Sequence, residues 1–435
     1  MNIKKFNIEI HQLLFGLLLS SGFPALINNS ILFESLDPDL KFTLYIFSLF
    51  IREFFIFLLG LKIILILFNK IYSERIKYIT LIAFLPLIPI SIGILNNFNI
   101  VLFYTGIRFY ILFSLPLLVL DGNLNLNFRK NIATNDFIFY FYLFLNILSF
   151  TIGYADFTPI PGSAQIGETF LGKRYMFNTS NPVIAAQQFG IFLIYTNFRL
   201  VIARSNFERT KFLIISFILL LFTLYAGGRA GVVVAILTSI SSLIIYFFPR
   251  IKYIFLTQKK IKNKLFIFGI SFLFSLFLFI LSSSSIISGR EQTAREINRK
   301  GIISGIYGSR LVIINKFFKE RKIEDIIIGK PGRGTNTACN QITSDPFNEE
   351  VCLKTDSLPT SSIFSFGVIG ILLYIVILIV VSYSSYSPLM PVAFLVLSLS
   401  QIFPELILPW TQFVLILFHS NQLGKNTNKQ TLNYE

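Results

Sequence analysis

The chain has 435 residues, 54% of them hydrophobic and only 14% charged, and its mean hydropathy is +0.69. Soluble domains carry roughly 25% charged residues, so a soluble enzyme, a disordered chain and a fibrous protein are all excluded. A formal charge of +16 would suit nucleic acid, but the basic residues flank apolar blocks, which is the pattern of membrane topology signals. No nucleic-acid partner is expected.

The apolar blocks are about 20 residues long, enough for a helix to cross a hydrocarbon core roughly 30 Å thick. In chain order they fall at 12–33, 43–68, 78–95, 101–120, 137–155, 182–203, 212–226, 230–248, 265–287 and 358–382. A last region, 389–418, contains Pro391, Pro404 and Pro409. Because proline removes a backbone donor, this region is either one broken helix or two short ones. The expected fold is all-α, a polytopic membrane bundle of eleven or twelve transmembrane helices. Its bundle occupies 1–287, a long hydrophilic loop 288–357, further transmembrane helices 358–420 and a polar tail 421–435.

Charge sets the orientation. Lys4, Lys5, Lys70, Arg75, Lys77, Arg129, Lys130, Arg204, Arg209, Lys211, Arg250 and the lysines of 252–264 fall on one side of the spans. The short loops on the other side hold only Lys41, Lys173, Arg174 and Arg229. Basic loops stay in the cytoplasm, which puts the N-terminus inside and the long loop outside. Lys4 and Lys5 precede the first block with no A-x-A cleavage pattern after it, so an uncleaved anchor is expected. Cys339 and Cys352 both lie in the outer loop. They form either a disulfide, worth about 3 kcal/mol for a loop of that size, or two free thiols. No internal repeat of the kind seen in many transporters is visible.

Familiar catalytic patterns are missing. His11 and His419 sit at the ends of the first and last spans, where caps or interfacial anchors are expected. No His/Cys cluster has metal-ligand spacing, and Gly329-Lys-Pro-Gly-Arg333-Gly334 lacks the Gly-Lys-Ser/Thr ending of a phosphate loop. The chemistry falls to Arg, Lys, Asp and Glu. Arg229 sits in a very tight turn, Gly227-Gly228-Arg229-Ala230-Gly231, either binding an anionic group through paired hydrogen bonds or snorkelling at a helix end. The long loop opens with Arg290, Glu291, Arg295 and Glu296 at helical spacing. Arg310 then leads 309–319, an amphipathic helix lying on the membrane or docked on the bundle, its N-terminal amides and guanidinium together suiting an anion.

Charges inside spans are costly, at about 2.5–3.5 kcal/mol for a basic residue on insertion scales. Arg52 and Arg108 lie at similar depth from the outer side and are placed to line one polar cavity. Glu53 offers partial neutralisation, although adjacent helical residues do not face each other. Lys62 and Arg199 are near inner ends and are expected to snorkel. Glu405, between prolines, marks a further polar indentation.

Several of these elements, in this order, resemble the O-antigen polymerase and ligase superfamily. They are Tyr225-Ala-Gly-Gly-Arg229-Ala-Gly, then Gly308-Ser309-Arg310 with Ile327-Ile-Gly329 and Gly332-Arg333-Gly334, then Lys354-Thr-Asp356-Ser-Leu followed by Gly367-Val-Ile-Gly370. Upstream, Arg174-Tyr-Met-Phe-Asn178-Thr-Ser-Asn181-Pro182 is similar to that family's loop before a span. The resemblance covers about 170–375. It implies a metal-independent, cofactor-free glycosyltransferase of the bacterial inner membrane, with its long loop in the periplasm. The implied substrates are polyprenyl-diphosphate-linked oligosaccharides among the membrane lipids, and a chain-length regulator protein is an implied partner. Arg229 and Arg310 would lie at the donor diphosphate. Arg174, Arg290, Arg333, Lys354, Arg52 and Arg108 complete the candidate set for diphosphate and glycan.

The family's ligases carry a histidine where this chain has Asp356, eleven residues before Gly367. That departure favours a polymerase, which joins lipid-linked repeat units, over a ligase, which delivers glycan to a lipid A core. Asp356 is either a general base for the acceptor hydroxyl or an N-cap for the helix beginning near Leu358-Pro359. A transporter, such as a lipid-linked sugar flippase or a small-anion carrier, is the reading from a different class. Arg52, Arg108 and Glu405 keep it open.

Overall fold

The computed structural model describes residues 10–29, 33, 35–70, 77–96, 100–120, 128–152, 168–169, 172–179, 181–248, 323–329, 357–400 and 406–431. In chain order the helices are α1 (Ile10–Asn29), α2 (Pro38–Lys70), α3 (Lys77–Phe84), α4 (Leu87–Asn96) and α5 (Ile100–Ser114), which continues as a 3-10 turn through Leu115–Leu120. Then come α6 (Phe128–Thr151), α7 (Pro182–Ile202), α8 (Asn206–Ala226), α9 (Arg229–Phe247), α10 (Ile323–Ile328), α11 (Leu358–Ser384), α12 (Leu389–Ser400) and α13 (Ile407–Thr431). The strand content among the described residues is a two-residue antiparallel ladder, Glu168–Thr169 with Gly172–Lys173.

Five stretches are long and apolar enough to cross a membrane: Phe103–Leu120, Ile132–Thr151, Asn206–Ala226, Arg229–Phe247 and Leu358–Ser384. This is a helical, multi-pass membrane protein. Phenylalanines on α2, including Phe47, Phe50, Phe54 and Phe57, stay exposed, as they do where the solvent is lipid rather than water. The expected span 78–95 is two helices. Pro86 has no N–H to donate, and the chain turns through Leu85 before α4 begins. The region 389–418 likewise forms two helices, α12 and α13, and α13 runs past residue 420 to Thr431. The expected span 265–287 lies outside the described residues.

At the centre is α7, buried without interruption from Ala185 to Phe198 and packed against α8, α9, α12 and α13. Its approach to α9 depends on small residues, as helix pairs in membranes commonly do. A Cβ on Gly231 would come within 2.3 Å of the Ala186 carbonyl oxygen, and one on Gly228 within 2.7 Å of the Ala186 side chain. The same core continues where Trp410 of α13 stacks on Phe413 and donates its indole N–H to the Leu112 carbonyl at 2.6 Å.

Candidate functional site

Polar side chains gather at both ends of α6. At its C-terminal end, Ser149 donates to Asn178 Oδ1 at 2.8 Å, and Asn178 in turn donates its backbone N–H to Asn146 at 3.4 Å. These bonds hold 174–179 over the bundle. The backbone N–H of Tyr175 reaches the Tyr225 carbonyl at 3.3 Å, and Arg174 donates Nε to the Ala226 carbonyl at 3.0 Å. Arg174 is 4% exposed, so its work is to hold this segment on the last turn of α8. Phe177 is the one non-glycine residue with positive φ (52°) among the described residues. Its ring is locked between Phe150, Phe189 and Phe222, and such strain persists only where packing over-determines it.

The α8–α9 turn is as tight as its glycines suggest. Gly227 takes the left-handed conformation (φ 68°, ψ 22°) and donates its N–H to Thr223 at 2.9 Å, while Gly228 opens α9 with no side-chain cap. Arg229 is therefore the first residue of α9, a position where the helix dipole disfavours a cation and favours an anion. Asn181 caps α7 by accepting from the Val183 N–H at 2.8 Å, with Pro182 next. Two separate parts of the 174–182 segment thus serve local folding.

A second cluster lies between α2 and α5. Glu53 Oε1 accepts from Arg52 at 2.6 and 3.0 Å, and Oε2 accepts from Arg108 Nε at 3.1 Å and from the Tyr104 hydroxyl. Arg52 and Arg108 are thus brought together as expected, and the carboxylate between them belongs to the neighbour of Arg52. Long side chains bend far enough to defeat the rule that adjacent helical residues do not meet.

A third feature joins segments far apart in sequence. Gly329, just after α10, has φ +76°, and Gly367 interrupts α11 with φ +60°, ψ −143°. A Cβ on either would strike the other's backbone neighbourhood, 2.4 Å from Gly367 N or 2.3 Å from the Ile327 carbonyl. The half of α11 before the break buries Ser361, Ser362 and Ser365. The cap position of α11 is Ser357, whose hydroxyl pairs with Thr360 at 2.5 Å. The helix starts where expected, but the cap is not Asp356.

The opposite end of the bundle corrects two further expectations. His11 and His419 are not interfacial anchors. Both are buried, their rings lie 5.5 Å apart, and Asn135 sits 2.6 Å from His419 Nε2. Arg199 does not snorkel, since it pairs with Asp136 at 3.0 Å and lies over the Phe212 ring at 4.9 Å, while Tyr195 donates to the same carboxylate at 2.7 Å. Asp136 carried no signal in sequence, because its partners come from α7. Among the described residues no group of three or more His, Cys, Asp or Glu is arranged to hold a metal ion.

Arg290, Arg310, Arg333, Lys354, Asp356, Glu405, Cys339 and Cys352 lie outside the described residues. No family model, curated protein or solved structure matches the chain.

Proposed function

We propose that the chain is a polysaccharide repeat-unit polymerase of the bacterial inner membrane, with the α8–α9 turn and the long loop on the periplasmic face. The observation that carries this reading is the placing of half-buried Arg229 as the first residue of α9, against the dipole, on a turn clamped by Arg174. An arginine so placed is matched to a diphosphate. In the reaction, an acceptor hydroxyl attacks the anomeric carbon of the donor glycan. The new glycosidic bond forms as the bond to the diphosphate breaks, and the hydroxyl proton passes to a base, the role assigned to Asp356. The polyprenyl diphosphate leaves with one more negative charge, which fixed cations at Arg229 and Arg310 stabilise more than the ground state. The contact of Gly329 on Gly367 also supports the reading, because it brings together two of the short motifs behind the family resemblance.

The broken helix α11 favours a second reading, a transporter, since discontinuous helices commonly frame transport sites. The test is the surface-polysaccharide profile of a strain lacking the protein. A polymerase predicts collapse of long chains to single capped repeat units. Long chains stranded on the lipid carrier would indicate a ligase, and an unchanged profile would leave the transporter.

A further inference from the structure

The cluster between α2 and α5 is not neutral. Arg52 and Arg108 share the single carboxylate of Glu53, which leaves one positive charge over. Arg52 gives Nε and Nη2 to Glu53, and Arg108 gives Nε alone. Nη1 of the first and both terminal nitrogens of the second therefore keep N–H donors to offer. Among the described residues no other acceptor reaches them. The cluster is not sealed either, since the side chains of Arg52, Glu53 and Arg108 are 19%, 25% and 22% exposed. They open onto an apolar surface. Phe50, Phe54 and Phe57 share the Glu53 face of α2 by helical spacing and are all exposed, as is Tyr104, one turn before Arg108 on α5. In a membrane protein such a surface meets hydrocarbon, where a charge without a counter-ion is costly.

Chemistry narrows the counter-ion. Spare donors on two guanidiniums suit a phosphate, whose oxygens accept from both. A free phosphate would have to shed its water to arrive, whereas a lipid phosphate is held at the membrane by its chains. One net positive charge also selects among lipids, because an anionic headgroup cancels it and a zwitterionic one brings an ammonium of its own.

We infer that this cluster binds the phosphate of an anionic phospholipid, which bridges Arg52 of α2 and Arg108 of α5 and so ties the two helices together. This gives both arginines a task outside the donor diphosphate. The site rests on the charge balance and its apolar surround, and it stands whether or not the chain is a polymerase.

The test is photo-crosslinking of the full-length protein in phosphatidylcholine vesicles, using a phosphatidylglycerol that carries a diazirine close to its headgroup. Labels should fall on α2 near Phe54 and Phe57 and on α5 near Tyr104. Unlabelled phosphatidylglycerol should compete about fivefold better than phosphatidylethanolamine, the effect of one headgroup charge. The double variant Arg52→Gln/Arg108→Gln should lower labelling of these peptides roughly tenfold, while labelling beside the basic Lys70 stays unchanged and reports an intact fold. Arg108→Lys keeps the charge and should keep the label. Glu53→Gln should raise labelling several-fold, because it removes the competing carboxylate; a merely structural ion pair predicts no rise. Equal competition by the two lipids, labelling indifferent to both arginines, or loss of the label to millimolar inorganic phosphate would overturn the inference.

Discussion

Gly367 shows how one residue can fix a contact between two separate helices. Its φ of +60° is open to glycine, and its α-carbon faces the Ile327 carbonyl with no room for a methyl group. Gly367→Ala combines left-handed strain with a backbone clash and is expected to cost about 3 kcal/mol or more. The purified protein should melt several degrees lower, and an unchanged melting temperature would show that the α10–α11 contact is dispensable. Asp136 and Arg199 make the complementary case for charge. Removing either partner leaves the other stranded, so Asp136→Ala or Arg199→Ala should each destabilise by roughly 3 kcal/mol. The double variant Asp136→Ala/Arg199→Ala should lose clearly less than the two single losses added. Additive losses in a double-mutant cycle would contradict direct pairing.

At the scale of elements, most of the helices were legible because apolar length is a strong signal and needs no knowledge of neighbours. Starts were legible too where a local rule applied: Asn181-Pro182 opens α7, and Gly227 closes α8. What sequence concealed were features decided by a partner helix. Nothing near Asp136 foretells Arg199 on α7, nothing near His11 foretells His419, and the break in α11 exists only against α10. The division of 389–418 was visible as an alternative, since its prolines forbid a straight helix without saying where the chain turns. The candidate site was legible in part. Arg229 stands where its motif placed it, whereas Arg174 is engaged by the Ala226 carbonyl and holds the turn.

For the whole molecule, α6 sorts the polar groups into two ends. Asn135 and Asp136, with His11, His419 and Arg199, lie at one end; Asn146 and Ser149, with Arg174 and the α8–α9 turn, lie at the other. We propose that the basic loops set the sign of this axis, with the His419 end in the cytoplasm. Single cysteines at the exposed Thr151 and at Arg204, in a chain whose Cys339 and Cys352 are replaced by serine, test it directly. A membrane-impermeant maleimide should label the first from outside and leave the second untouched, and the opposite result would invert the molecule.

The central claim is chain growth from two lipid-linked units. The most direct measurement supplies the purified protein with polyprenyl-diphosphate-linked repeat units extracted from the deletion strain. A ladder of longer glycans should appear with release of polyprenyl diphosphate, and Arg229→Ala should slow it by about 100-fold, as loss of a fixed charge-stabilising donor does. Repeat units that stay single with the wild-type protein, or a ladder indifferent to Arg229→Ala, would contradict the account.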